Sequence, residues 1–170
     1  VAQRDWDRWI LASLATYLKS VAGGCTLPVL VEGLDERTPA FMQATDRAEI
    51  KITGPSSQQP SNDYFRLFVE VSVLLTSRYD GPTKNAYSIA EYAGAFHEAM
   101  NVPIGVWNFG GQPGDYVAGQ PETLTFLGCL TQRPGRGDNV RVEHYGQIDK
   151  TSKIKQTLVE ARYMIELEDT

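Results

Sequence analysis

The sequence predicts an α+β domain: a mostly antiparallel β-sheet with two amphipathic helices packed on one face. Two segments, residues 5–22 and 85–100, repeat apolar side chains at three- and four-residue spacing. Others alternate at a period of two, the longest at 64–76 and 157–167. Turn-rich segments rather than helices link most of the strands, which argues against a doubly wound parallel sheet.

The first helix carries Trp6, Trp9, Ile10, Leu14, Tyr17, Leu18 and Val21 on one stripe. Asp5 is its expected N-cap and Gly23-Gly24 its end, where glycine tolerates a left-handed backbone. A short strand follows at 28–32, then a polar loop at 33–47 in which Phe41 and Met42 fold down onto the body. Ile50 and Ile52 alternate with Glu49 and Lys51 in a strand at 48–53. Residues 54–63 contain no large apolar side chain and predict a protruding hairpin loop.

The strand at 64–76 is the strongest such signal. Phe65, Leu67, Val69, Val71, Val73 and Leu75 belong on the core, while Arg66, Phe68, Glu70, Ser72 and Leu74 share the other face. That second face mixes charge with apolar bulk, a pattern that suits both a wet sheet face and a protein interface. A turn at 79–82 leads into the second helix, whose stripe is Ile89, Tyr92, Ala93, Phe96 and Met100 and which Asn101 and Pro103 stop. A strand at 104–109 precedes a second protruding loop at 110–122. Strands at 124–131 and 140–145 around a polar turn predict a β-hairpin spanning about 124–145. The strand at 157–167 closes the chain, with no internal repeat and no linker that divides it, so the chain reads as a single domain over 1–170.

The chain has 170 residues with 42% hydrophobic and 22% charged side chains, enough to bury a core. A net charge of −5 argues against nonspecific nucleic-acid binding, which depends on Lys and Arg. Arg133, Arg136 and Arg141 are interrupted by Asp138 and Glu143 and read as a solvated hairpin. Residues 1–9 carry Arg4, Asp5, Asp7 and Arg8 where a signal peptide has an apolar core, and no apolar run reaches the length of a membrane span. The expectation is a protein made in the cytoplasm that does not enter a membrane.

No catalytic, cofactor-binding or metal-binding residue stands out. Cys25 and Cys129 form neither a disulfide framework nor a zinc motif, and Cys129, inside Leu127-Gly128-Cys129-Leu130, reads as a small buried hydrophobe. His97 and His144 lack the paired spacing of a metal site. Gly110-Gly111-Gln112-Pro113-Gly114 has neither the Gly-Lys-Ser/Thr ending of a phosphate loop nor a helix behind it. Arg136-Gly137-Asp138 reads as turn chemistry. No cofactor and no enzymatic activity are expected; the chain is expected to work by assembling with other proteins.

The order of these elements is a front amphipathic helix, a Pro-Val-Leu-Val-Glu strand, a long Phe-Arg-Leu-Phe-Val-Glu-Val-Ser-Val-Leu-Leu strand, a helix ending Phe96-His97-Glu98-Ala99-Met100 and a closing Glu160-Ala161-Arg162-Tyr163-Met164-Ile165 strand. In this order the chain resembles the tail terminator, tail-completion and neck proteins of long-tailed bacteriophages. The resemblance implies a virion protein that forms a homohexameric ring at the head-proximal end of the tail tube, ends tube polymerisation and joins the tail to a head–tail connector or stopper. DNA would pass through its lumen without specific binding. A connector, a stopper or a tail-tube subunit is the neighbouring expectation, and a small hydrolase or ligand-binding domain the more distant one. The residues expected at subunit or partner interfaces are Arg66, Phe68, Glu70 and Ser72 on the long strand, and Gln58, Gln59, Gln112, Asp115 and Tyr116 on the two loops.

Overall fold

A computed structural model describes residues 3–59, 63–78, 87–109, 125–132, 140–147 and 153–168. It is a mixed α/β architecture. Along the chain run α1 (Gln3–Gly24), β1 (Val29–Val31), α2 (Pro39–Gln43), β2 (Asp46–Gln58), β3 (Tyr64–Arg78), α3 (Ser88–Met100), β4 (Ile104–Trp107), β5 (Phe126–Gln132), β6 (Val140–Gln147) and β7 (Ile154–Glu168).

The sheet is mixed rather than purely antiparallel. Its strands lie in the order β1-β2-β3-β7-β5-β4, with β6 also paired to β7. Every described pairing is antiparallel except β1 with β2, which align Val29 with Ala48 and Val31 with Ile50 in parallel. Parallel neighbours need a crossover, and residues 32–45, including α2, supply it. The segment predicted as a plain loop therefore contains a helical turn. Thr38 caps it by accepting from the Phe41 amide at 3.2 Å, and Pro39 occupies its first turn. Phe41 is buried there, as expected, but Met42 is exposed.

The core lies on one parity of the long strands. Leu67, Val69, Val71, Val73 and Leu75 of β3 are buried together with Ala48 and Ile50 of β2 and Val159, Ala161, Tyr163 and Ile165 of β7. Ile10, Leu14 and Leu18 of α1 and Ile89, Ala93, Phe96 and Met100 of α3 join the same cluster. The apolar stripes read from the sequence are thus what the core is made of. Fully burying one such side chain contributes about 1.5–3 kcal/mol.

The end of α1 differs from expectation. The helix runs through Gly24, and the left-handed residue is Thr26, with φ 55°. The Leu27 amide donates to the Ala22 carbonyl at 2.9 Å and the Thr26 amide to the Gly23 carbonyl at 3.1 Å. Those two bonds make a Schellman motif, in which Leu27 turns back into the core.

Two further expectations are corrected by the strand pairing. Residues 54–58 are not loop: β2 continues to Gln58, with Ser56, Ser57 and Gln58 opposite Phe68, Leu67 and Arg66. A bulge between Thr53 and Ser56 takes up the extra residues, and Gly54 sits in it at φ 101°, where an added Cβ would lie 2.9 Å from the Phe68 carbonyl oxygen. An apolar side chain is unnecessary because the ladder itself satisfies the backbone. The expected hairpin at 124–145 is likewise not one, since β5 and β6 both pair with β7. Gln132 lies opposite Tyr163 and Val140 opposite Ala161, so the two strands lie end to end along one edge. The turn at 79–82 and the loop at 110–122 lie outside the described residues.

Candidate interaction surface

The other parity of β3 and β7 forms a broad outward face. Directly opposed residues of an antiparallel pair project to the same side, so the register gives its rows. Across β2, β3 and β7 these include Gln58–Arg66–Glu166, Ser56–Phe68–Met164, Thr53–Glu70–Arg162, Lys51–Ser72–Glu160 and Glu49–Leu74–Leu158. Thr131 of β5 extends the second row, Arg141 of β6 the fourth and Glu143 of β6 the fifth.

Arg66 Nε donates to Glu166 Oε1 at 2.7 Å, and Arg162 Nε lies 2.7 Å from Glu70 Oε1. Arg66 also lies over the Tyr64 ring, 5.6 Å from its centroid. Glu70 and Arg162 are exposed, with 52% and 67% of their side chains accessible, whereas Phe68 and Met164 between the two ion pairs are half-buried. Exposed ion pairs of this kind contribute about 0–1 kcal/mol each, so their arrangement says more than their strength.

Of the residues expected at interfaces, Arg66, Phe68, Glu70, Ser72 and Gln58 come together on this face, and exposed Gln59 follows the end of β2. Gln112, Asp115 and Tyr116 lie outside the described residues. The residues missed are Arg162, Met164 and Glu166. Their alternation with the core set is plain in the sequence, but the register that places them beside Phe68 is a pairing across roughly a hundred residues of chain.

Polar side chains behind the core anchor the helices. Tyr92 donates to Asp46 Oδ2 at 2.8 Å and Ser77 to Asp46 Oδ1 at 2.9 Å, tying α3 to β2 and β3. Burial, then the hydrogen bond to Asp46 and its charge, push the Tyr92 phenol up to about 12. The folded chain therefore holds this proton more tightly than the unfolded one. The resulting stability is complete below about pH 10 and disappears as pH rises towards about 12. Urea midpoints measured across that window should fall, and fall less steeply in Tyr92→Phe.

At the other end of α3, Tyr17 donates to the Ala99 carbonyl at 2.6 Å. Tyr163 and Gln132 both donate to the Met100 carbonyl, at 2.6 and 2.9 Å. Burial raises the phenol pKa of both tyrosines. Cys25 is half-buried with its thiol pushed up by burial, which leaves it a poor thiolate. Cys129 is half-buried rather than buried.

A cavity of about 220 Å³ opens between the start of α3 and the β6–β7 pair, lined by Tyr87, Ile89, His144 and Lys155 among others. His144 Nδ1 lies 2.8 Å from Thr157 Oγ1 on its wall. Among the described residues no three His, Cys, Asp or Glu side chains converge on one point, and no helix is long and apolar enough to cross a membrane.

No known family model matches the chain, and no curated protein matches it.

Proposed function

We propose that this chain is a virion ring subunit of the tail terminator kind, built with α1 and α3 backing one face of the sheet and the other face turned outward for assembly. Copies of it form a hexameric ring on the head-proximal end of a phage tail tube. The ring ends tube polymerisation and meets the head–tail connector or stopper, and DNA passes through without specific contacts.

The observation that carries this reading is the outward face. Half-buried apolar side chains, Phe68 and Met164, lie on it between the Arg66–Glu166 and Glu70–Arg162 ion pairs. Protein interfaces have the same anatomy, an apolar centre and a polar rim. The order α1, β1, β3, α3, β7 also follows the order on which the resemblance to tail terminators rests.

Electron microscopy of the purified chain mixed with tail-tube protein tests the proposal. Closed rings seated on the ends of shortened tubes are the expected result. Long tubes made of this chain alone would instead make it a tube subunit. A particle that stays monomeric and leaves tube growth unchanged would overturn the proposal.

A further inference from the structure

The outward face carries a symmetry within a single chain. On β3 the order is Arg66, Phe68, Glu70, and on β7, running the other way, it is Arg162, Met164, Glu166. A half-turn about the perpendicular to the sheet between Phe68 and Met164 exchanges Arg66 with Arg162 and Glu70 with Glu166. The positive charges thus hold one diagonal of the patch and the negative charges the other, around an apolar centre.

Such an alternating square is complementary to itself. When a second copy is turned over about the line of the Phe68–Met164 row and laid on the first, Arg66 faces the second copy's Glu70. Glu166 likewise faces the second copy's Arg162. Phe68 meets its own counterpart, and so does Met164. The rows are about 6.8 Å apart along the strands and facing sheets pack about 10 Å apart, distances that these side chains span. Because Arg66–Glu166 and Glu70–Arg162 are already paired within the chain, none of the four charges of the square is buried without an opposite neighbour.

We infer that this face docks a second copy of the same chain in a two-fold, face-to-face pair held by the Arg66, Glu70, Arg162 and Glu166 square around Phe68 and Met164. This goes beyond the ring reading and uses the same outward face: a two-fold contact closes on a pair, so the head-to-tail contacts of a ring would fall on other surfaces of the chain.

Inverting the square tests it. The variant Arg66→Glu, Glu70→Arg, Arg162→Glu, Glu166→Arg keeps every attraction within and between its own copies. It meets wild type with like charges at each corner. Light scattering on size exclusion should show pairs for wild type and for the variant alone. Native mass spectrometry of differently labelled wild type and variant should show mixed pairs at least tenfold rarer than random exchange gives. Ser56→Arg, an exposed position on the axis row that faces its own counterpart, should weaken pairing at least tenfold with an unchanged circular dichroism spectrum. Random mixing of wild type with the variant, or a wild type monomeric at every concentration, would overturn the inference. A closed ring whose subunits exchange freely with the inverted variant would also overturn it while leaving the ring reading in place.

Discussion

Phe96→Ala should lower the unfolding free energy by about 3–5 kcal/mol, the range for emptying a large aromatic site in a packed core. Phe96 is fully buried on the inner stripe of α3, in one cluster with Ile50, Val73 and Val159 of the sheet. Removing the ring takes away its transfer energy and leaves a void that the helix is poorly placed to close. Tyr92 and the Met100 carbonyl hold α3 near its middle and at its end. Globular domains have only about 5–15 kcal/mol in hand, so the variant should unfold at a much lower urea concentration with an unchanged slope. Glu98→Ala, on the exposed side of the same helix, should shift the midpoint by no more than about 0.5 kcal/mol.

Removing both donors to the Met100 carbonyl should cost about 3 kcal/mol. The last carbonyls of a helix have no partner within it, and here the Tyr163 hydroxyl and the Gln132 amide take that place. Either donor alone leaves the carbonyl one bond, so Tyr163→Phe or Gln132→Leu should each cost about 1 kcal/mol. Together they leave a buried acceptor unsatisfied, and the loss should exceed the sum of the single changes. A double-mutant cycle by urea unfolding reads the excess directly; strict additivity would mean that the two donors do not share this carbonyl in solution.

Much of this fold is written locally. The two-residue alternation in β3 and β7 assigns each side chain to core or outward face without any knowledge of its neighbours, and the spacing in α1 and α3 does the same for the helices. The outward face was legible to that extent, since Arg66, Phe68 and Glu70 stand out as a mixed face on one strand. Its charge square was not, because it exists only once β3 and β7 are in register.

Turn chemistry misled for a related reason. The Pro- and Gly-rich residues between β5 and β6 resemble a hairpin turn, yet β7 offers a longer edge and takes both strands. Residues 54–58 show no apolar pattern because their order comes from backbone bonds to β3. The helical turn α2 did leave a signal, Thr38 followed by Pro39, but it is too short for any periodicity.

The end-to-end placement of β5 and β6 has a practical consequence. Between Gln132 opposite Tyr163 and Val140 opposite Ala161, the register leaves one position of β7, at Arg162, so β5 and β6 meet β7 as two separate ladders. Each ladder stands on its own backbone bonds, and β7 is the template that both share. A proline at Val159, inside the β6 ladder and opposite Val142, should therefore unseat far more of the sheet than one at the short end of β5.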